Sequence, residues 1–261
     1  MSRGCYGHAV QRKARLNQMV AAIVENTSLD VPSLASMFEV SEATVRRDLE
    51  TLEQQRLVHR THGGATTHAS FHDLPLSYKT AQDLPEKRRI AQRARGLLDH
   101  ARVIGLTGGT TVTEFARLLS SVEGLTVVTN ALNIAVELSA NPRLRVFAAG
   151  GEVRGSSQEA VGPSAEAFLA GYNIDVAFLG VDGVDAAAGC TNYDPVGARV
   201  NALLRERARV AAVLADATKI NRVALAPVCA MAEVDVLITD RRADRTAVEA
   251  IRRRGCEVLC V

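Results

Sequence analysis

The feature that most constrains the fold is a series of short apolar segments, rich in β-branched residues, that alternate with helix-like segments from residue 86 onward. β-branched residues favour strands, and strands that alternate with helices predict βαβ units. Such units build a mostly parallel sheet with helices on its faces. We therefore expect an α/β domain over residues 86–261. Seven strands are predicted, at 103–106, 125–129, 144–149, 176–180, 210–216, 235–240 and 257–261.

Residues 14–66 carry a different pattern, which predicts three helices. Apolar residues recur at spacings of three and four between Leu16 and Val24, which indicates an amphipathic first helix. Asp30 can cap a short second helix, and Ser41 can cap a longer third one. A short helix, a tight turn and a longer helix form the helix-turn-helix pattern, whose second helix enters the major groove of DNA.

A hairpin is predicted directly after the third helix. A strand begins at Leu57, and Gly63 and Gly64 provide a turn that can adopt positive φ. Such a hairpin is a wing that would place Arg60 and His62 beside the recognition helix, within reach of phosphates. The sequence therefore favours a winged helix-turn-helix domain over residues 14–66.

The exposed face of the third helix has side chains suited to DNA. Serine and threonine can bond to phosphates or bases, and an arginine can donate two hydrogen bonds to guanine. We expect Thr44, Arg46 and Arg47 to matter most, and Asp48 to be exposed beside them. The alternative is a three-helix bundle whose polar face is only solvated. The candidate DNA-binding residues are Ser41, Glu42, Thr44, Arg46, Arg47, Arg60, His62, Gly63 and Gly64.

The charge balance limits how this domain can bind DNA. The chain has 31 basic and 29 acidic side chains, a net charge of +2, so any nucleic-acid site must be local. A single module of this kind should bind weakly, and linking two modules converts the second contact into an intramolecular one. We therefore expect a dimer at least.

Other classes of protein are disfavoured by cysteine usage and hydropathy. The five cysteines are scattered and form no C-x-x-C pair, which argues against a disulfide framework and a zinc site. No apolar run approaches the 18 residues of a membrane span, and the first residues lack the apolar segment of a secretory signal. We expect a cytoplasmic protein without a metal or cofactor.

Residues 67–85 separate the two predicted domains. This stretch loses periodicity and contains Pro75 and Pro85 between polar residues. We interpret it as a linker and as the hinge region between the domains.

Polar loops follow several of the predicted strands. In the first, residues 107–111 stand before a helix, where free backbone N–H groups and the helix dipole favour an anion such as phosphate. This loop matches neither G-x-G-x-x-G nor the P-loop, so a simple tight turn is the alternative.

Because ligands of open α/β sheets bind at the carboxyl ends of strands, the recurrence of such loops indicates one shared pocket. Lys219 can neutralise a phosphate there, and Asp216 can fix that lysine or bond a sugar hydroxyl. The alternative without a ligand is that Asp216 only caps a turn and Lys219 is solvated. The candidate effector-binding residues are Thr107, Gly108, Gly109, Thr110, Thr111, Thr129, Asn130, Gly150, Gly151, Arg154, Asp182, Asp216 and Lys219.

The segment VSEATVRRDLETLEQQRLVHRTHGGA at residues 40–65 resembles the DNA-binding signature of the DeoR family of bacterial transcriptional regulators. The resemblance covers roughly residues 14 to 261. It implies a repressor of a carbohydrate-metabolism operon that binds operator DNA as a homodimer or homotetramer. It also implies a larger domain similar in fold to ribose-5-phosphate isomerase and CoA transferases, which senses phosphorylated sugars or related metabolites.

The resemblance extends to the polar loops of the larger domain, with some departures. The family's loops are matched by Gly109-Thr110-Thr111, Thr129-Asn130, Gly150-Gly151 and Asp216-x-x-Lys219. The identity of the effector stays open, because several positions differ from the family pattern. Thr107-Gly108 stand where many members have Asp-Ser, Thr218 replaces a frequent serine, and Gly197-Ala198 lack a common glutamate. A further departure, Arg56 in place of a glycine before the wing, bears on the local turn geometry and not on the effector.

Two other functions were weighed. The first is a sugar-phosphate isomerase or transferase with an appended DNA-binding module, which the carboxylates Asp182, Asp185 and Asp194 would serve. Catalysis needs a base and an acid positioned across a pocket. The larger domain holds only one histidine, His100, so we predict no catalytic residues and no enzyme activity. The second is a constitutive DNA-binding protein with a vestigial pocket.

Overall fold

The computed structural model describes residues 3–55, 57–66, 76–80 and 82–261. These residues belong to two compact units, Met1–Ala81 and Gln82–Val261. The boundary between the units lies inside the stretch that the sequence predicts as a linker. Residues 67–75 and Ala81 of that linker lie outside the described residues, as does Arg56 before the wing.

The first unit is a trihelical core with a small sheet. Its three-stranded sheet is antiparallel and has the strand order β1-β3-β2. Its buried apolar side chains include Met19 and Ile23 of the first helix, Leu34 of the second, and Leu49 and Leu52 of the third. The elements are α1 (Arg3–Asn26), β1 (Ser28–Asp30), α2 (Val31–Met37), α3 (Glu42–Gln54), β2 (His59–Arg60), β3 (Gly64–Thr66) and α4 (Leu76–Thr80).

The caps predicted for α2 and α3 are confirmed. The carboxylate of Asp30 accepts a hydrogen bond from the backbone N of Ser33 at 2.7 Å, and Ser41 Oγ accepts one from the backbone N of Thr44 at 3.2 Å. Each bond satisfies one of the N–H groups that the first turn of a helix leaves unpaired. The predicted strand start at Leu57 is wrong: β2 begins two residues later, because Leu57 is buried in the core.

The second unit contains a seven-stranded parallel sheet and two smaller antiparallel pieces. Its strands and helices are α5 (Leu84–Ala94), β4 (Val103–Leu106), α6 (Thr110–Arg117), β5 (Thr126–Thr129), α7 (Leu132–Ser139), β6 (Arg145–Ala148), β7 (Glu152–Arg154), β8 (Glu159–Val161), α8 (Pro163–Ala170), β9 (Ile174–Leu179), β10 (Gly183–Asp185), β11 (Gly189–Asn192), α9 (Pro195–Glu206), β12 (Ala208–Leu214), β13 (Ala226–Cys229), β14 (Val236–Thr239), α10 (Arg245–Arg252) and β15 (Glu257–Cys260).

The large sheet has the order β15-β14-β12-β9-β4-β5-β6, and every neighbouring pair is parallel. All seven predicted strands are confirmed. The chain builds outward in one direction from β4 and in the other from β9, so these two neighbours form the topological switch point. In open α/β sheets a crevice opens at the carboxyl ends of such strands. The smaller pieces are the hairpin β7–β8 and the sheet β10-β11-β13.

Helices cover both faces of the large sheet. Along β9, Val176 and Phe178 pack into a cluster with residues of α5, α6 and α7, whereas Ala177 and Leu179 pack into a cluster with residues of α8, α9 and α10. Alternate residues of a strand point to opposite faces, so this strand is buried on both sides. The predicted α/β class is confirmed.

The end of the predicted linker is helical, which corrects the expectation that periodicity is lost up to residue 85. Helix α4 occupies Leu76–Thr80, and Pro85 lies in the first turn of α5. Proline suits that position because its fixed φ matches the helix and its missing N–H would be unpaired there anyway.

Among the described residues, no helix is long and apolar enough to span a bilayer. In the same part of the chain, no group of three or more His, Cys, Asp or Glu side chains could hold a metal ion. Cys190, Cys229, Cys256 and Cys260 are free thiols.

Candidate DNA-binding surface and effector site

The N-terminal part of α3 presents most of its predicted DNA-binding side chains to solvent. Ser41, Glu42, Arg46 and Arg47 are exposed, and Thr44 is half-buried. Glu42 Oε2 accepts a hydrogen bond from Arg46 Nη2 at 2.6 Å, so this pair holds the guanidinium one turn above the start of the helix. The hydroxyls of Ser41 and Thr44 are 2.9 Å apart and take part in the cap.

The wing lies beside this face of α3. A cleft of about 410 Å³ is lined by Glu42 and Arg46 of α3 and by Arg60 and His62 of the wing, among others. The structure thus brings two predicted groups of DNA-binding residues to one groove. Ser41, Thr44 and Arg47 do not line it.

Gly64 is required by the close approach of β1. A Cβ at position 64 would stand 2.2 Å from the carbonyl oxygen of Leu29, a distance that real side chains do not show. At Gly63, a Cβ would meet nothing within 4 Å. The two adjacent glycines therefore have different roles, which the sequence alone does not separate.

Asp48 is not an exposed residue of α3, which corrects the prediction. It is 1% exposed and accepts hydrogen bonds from Arg12 Nε at 3.1 Å and Arg15 Nε at 2.8 Å. Position 48 follows Val45 by three residues and precedes Leu52 by four, so it shares their inward face. Its partners lie more than 30 residues away in α1, and no local pattern could have revealed them.

The predicted effector site begins at the switch point between β4 and β9. Thr107 follows β4 and is fully buried; its Oγ1 accepts a hydrogen bond from the backbone N of Gly180, which follows β9, at 2.8 Å. Thr129 Oγ1 donates to the Leu106 carbonyl at 2.7 Å and accepts from the Ala131 backbone N at 3.0 Å. These two threonines fix the strand ends and position the loops around the crevice.

The glycine-rich loop leads into α6. Gly109 has φ of +107°, a conformation that favours glycine, and its carbonyl accepts from Thr113 Oγ1 at 2.9 Å. Helix α6 starts at Thr110, so the first-turn N–H groups point toward the crevice end of the sheet. Thr110 is half-buried and Thr111 is buried.

The glycine-rich loop contacts a carboxylate that the sequence pattern did not reveal, that of Glu159. Glu159 Oε1 accepts hydrogen bonds from the backbone N of Gly108 at 3.0 Å and from Asn130 Nδ2 at 3.3 Å. Burial raises the pKa of the Glu159 carboxyl, although these hydrogen bonds and the charge of Arg154 act in the opposite direction. Glu159 comes from the hairpin strand β8, so it does not follow a strand of the main sheet.

Of the other predicted residues, Arg154 ends strand β7 of this hairpin, Gly150 and Gly151 precede β7, and Asp182 precedes β10. Arg154 Nη1 lies 3.4 Å from a carboxylate oxygen of Asp194. Asp182 Oδ2 accepts a hydrogen bond from the backbone N of Tyr193 at 3.1 Å. Because Tyr193 directly precedes Asp194, the residues Asp182 and Asp194 lie close together. Gly150 and Gly151 are exposed in the turn that enters β7.

The loop after β12 holds Asp216 and Lys219 and a second residue missed by sequence reasoning. Asp216 is 4% exposed and accepts from the backbone N of Thr218 at 3.0 Å. Lys87 of α5 is also 4% exposed, and burial lowers the pKa of its ammonium; the Asp216 carboxylate opposes this shift and the Lys219 charge adds to it. Its mutual influence with both residues places Lys87 near this loop. In the sequence, the available sign of a buried Lys87 was its place among the apolar residues that form the buried side of α5.

The site residues therefore provide backbone N–H donors, an amide and cationic side chains near the carboxyl ends of β4, β9 and β12. β9 pairs with both β4 and β12, so these ends adjoin. Such groups suit the binding of an anionic small molecule.

Comparison with known proteins agrees with this division of the chain. The model of the DeoR-like helix-turn-helix domain matches residues 15–71, and that of the DeoR C-terminal sensor domain matches residues 82–241. The HTH-type transcriptional regulator GlpR of Haloferax volcanii is 33% identical over 250 residues, which covers 95% of this chain and 96% of that protein.

A second relative is the glycerol-3-phosphate regulon repressor of Escherichia coli, 28% identical over 231 residues, with 88% of this chain and 92% of that protein covered. Among solved structures, ribose 5-phosphate isomerase A of Methanocaldococcus jannaschii aligns over 51% of this chain and 52% of its own, with 19% identity and a TM-score of 0.38.

Proposed function

This chain belongs to the DeoR family of transcriptional regulators, and on that premise we propose that it represses an operon of carbohydrate metabolism in response to a phosphorylated metabolite. Operator DNA binds to the exposed face of α3 and to the wing. The effector, a phosphorylated sugar or a related compound, binds in the second unit and changes the affinity for DNA. The family consists of regulators, so the chain is a DNA-binding regulator and not an isomerase.

The observation that carries the effector half of this proposal is the convergence of donors and cations at the switch point. Gly108 and Asn130 contribute N–H donors, and Lys219 and Lys87 contribute positive charge around Asp216. Phosphate groups bind to such combinations of backbone amides and ammonium groups. A relative whose name refers to glycerol 3-phosphate supports the same class of ligand.

The DNA half of the proposal rests on Arg46, Arg47 and the wing. Arg46 is oriented by Glu42 and lies in one cleft with Arg60 and His62. A guanidinium can donate two parallel hydrogen bonds to guanine O6 and N7 in the major groove, whereas wing residues can reach phosphates. Glu42 can accept a hydrogen bond from cytosine N4 beside it.

A homodimer or homotetramer is part of the proposal. Two copies bind two half-sites, and linkage between them supplies the affinity that one nearly neutral module lacks. The effector then acts by favouring one arrangement of the two modules, with a coupling free energy of about 1–3 kcal/mol. We place this activity in the cytoplasm, where operator DNA is accessible.

Substitution of the recognition arginines tests this assignment. We expect Arg46→Ala and Arg47→Ala each to weaken operator binding by about 5- to 150-fold, because a bidentate contact to guanine is worth about 1–3 kcal/mol. Binding is measured by fluorescence anisotropy at fixed salt on the DNA upstream of the protein's own gene. Isothermal titration with ribose 5-phosphate should give the same affinity for the variants and the wild type.

The matched control is Arg253→Ala, an exposed arginine at the end of α10. It removes the same charge from the second unit and should leave operator affinity unchanged. Equal loss in all three variants would show that net charge, and not the face of α3, governs binding, and would contradict the assignment.

A further inference from the structure

Three groups predicted to bind the effector face a carboxylate of the chain itself. Glu159 Oε1 accepts hydrogen bonds from Gly108 N and Asn130 Nδ2, and Arg154 acts on the same carboxylate through its charge. The oxygen of the same amide, Asn130 Oδ1, is buried and has no hydrogen-bond partner among the described residues. Buried polar atoms are nearly always paired, so this acceptor is suited to a donor supplied by a ligand.

The Glu159 carboxyl fills the space directly above Gly108. A Cβ built on Gly108 would stand 2.5 Å from the Glu159 carboxyl carbon and from Oε1. A side chain at position 108 would therefore require this carboxyl to move away. The absence of a side chain at Gly108 leaves room for the Glu159 carboxyl, which accepts the hydrogen bond of the Gly108 backbone N–H.

The backbone of β8 is anchored independently of this side chain. Ala160 N donates to the Asn130 carbonyl at 2.7 Å, and Leu132 N donates to the Gln158 carbonyl at 2.8 Å. Both bonds tie the strand to the loop that follows β5. The Glu159 side chain can consequently leave Gly108 by rotation about its own bonds, without movement of the strand.

A carboxylate and a phosphate compete for the same donors. Each presents anionic oxygens to backbone N–H groups, and two like charges at hydrogen-bonding distance repel each other. An effector phosphate that binds at Gly108 must therefore displace Glu159 or share the site with an adjacent negative charge.

We propose that Glu159 is an internal occupant of the effector site, which holds the Gly108 and Asn130 donors until the anionic group of the effector displaces it. This inference rests on the proposed function and adds a regulatory element to it. Glu159 raises the effector concentration at which the protein responds.

The test compares Glu159→Gln with the wild type in binding inorganic phosphate and ribose 5-phosphate by isothermal titration calorimetry at fixed pH and salt. Glutamine keeps an acceptor for Gly108 but removes the charge. We expect phosphate-containing probes to bind about tenfold more tightly to E159Q, as follows from removal of one like charge at short range. Unphosphorylated ribose should show no such gain.

Glu152→Gln is the matched control, because Glu152 is an exposed glutamate on the other strand of the same hairpin. It should bind both probes as the wild type does. Glu159→Ala, which removes the carboxyl and its stem, should also bind phosphate more tightly, and serves if circular dichroism shows that E159Q does not fold.

The outcomes separate this inference from the proposed function. Tighter binding in the Glu159 variants alone supports the internal occupant, even when the wild type binds too weakly to measure. Unchanged or weaker binding in variants of a wild type that binds the probe overturns the inference and leaves the sensor function intact. Absence of binding in all proteins counts against both.

Discussion

Asp48 is a carboxylate that is almost fully buried and joins α3 to α1 through Arg12 and Arg15. The two arginines bring one positive charge more than the carboxylate neutralises. Arg12 also donates to Thr51 Oγ1 at 3.0 Å, so its guanidinium lies over the middle of α3. The side chains at this contact fix the recognition helix against the first helix, and their role is structural.

Replacement of Asp48 tests this role at the residue scale. Asp48→Asn removes the charge and leaves a single acceptor for two guanidinium groups, so we expect a loss of about 1–3 kcal/mol in the stability of the first unit. Urea unfolding of the full chain, followed by circular dichroism, measures it. Glu50→Gln, on an exposed position of the same helix, is the control. Equal stability of the two variants would refute a structural role for Asp48.

At the scale of elements, the wing depends on how closely β3 approaches β1. Strand β3 of the wing, Gly64–Thr66, pairs with β1, Ser28–Asp30, which precedes α2. The position of the wing therefore depends on this pairing. Val31 N also donates to the Gly63 carbonyl at 2.8 Å. This arrangement sets the distance between Arg60 and the start of α3.

The two adjacent glycines provide a matched pair of variants. Gly64→Ala places a methyl group against the Leu29 carbonyl, so β3 must shift and operator affinity should fall by about 5- to 150-fold, as for a lost specific contact. Gly63→Ala meets no neighbour and should retain operator affinity. Anisotropy titrations of the wild type and both variants with the same DNA measure these affinities. Wild-type affinity in both variants would mean that the wing does not contribute to binding, and an equal loss in both would contradict the different roles of the two glycines.

Sequence patterns predicted those elements that are long enough to show a period. The seven strands of the main sheet and the capped helices α2 and α3 were found this way, because apolar periodicity and capping side chains are local signals. The strands β1, β7, β8 and β10 have three residues each, too few to establish an alternation. Their pairing is set by distant segments, as when β13 joins β11 across α9 and β12.

The same limit applies to the candidate site. Residues directly after strands of the main sheet, such as Thr107 and Asp216, were predictable because parallel strands end at one edge. Glu159 and Lys87 reach the site from a hairpin and from a helix, so only the folded chain places them beside Gly108 and Asp216. The sequence also could not show that Asp48 faces inward to arginines of α1.

On the scale of the whole molecule, the account requires that the effector site and the DNA-binding surface be separable by mutation. The residues proposed to contact DNA lie in the first unit, and the donors and cations proposed to bind the effector lie in the second. A ligand changes DNA affinity only if it binds one arrangement of the molecule better than another. Loss of an effector contact should therefore abolish the response and leave the DNA-binding surface intact.

Lys219→Ala tests this separation. We expect operator affinity without effector to equal that of the wild type, whereas the effector concentration needed for half of the response rises by at least about tenfold, because a charge-assisted bond to phosphate is lost. Arg222→Ala, an exposed basic residue three positions further along, is the control and should respond normally. A parallel loss of DNA binding in K219A would contradict two separable sites.

The measurement that tests the central claim most directly is the anisotropy of the upstream DNA titrated with the wild-type protein at fixed salt, with and without a panel of sugar phosphates. Salt must be fixed because it alone shifts protein–DNA affinity by orders of magnitude. The account predicts tight binding that depends on DNA sequence and is shifted by one phosphorylated sugar but not by its unphosphorylated analogue. Sequence-dependent binding that no member of the panel alters would contradict the effector half of the account and leave a constitutive DNA-binding protein.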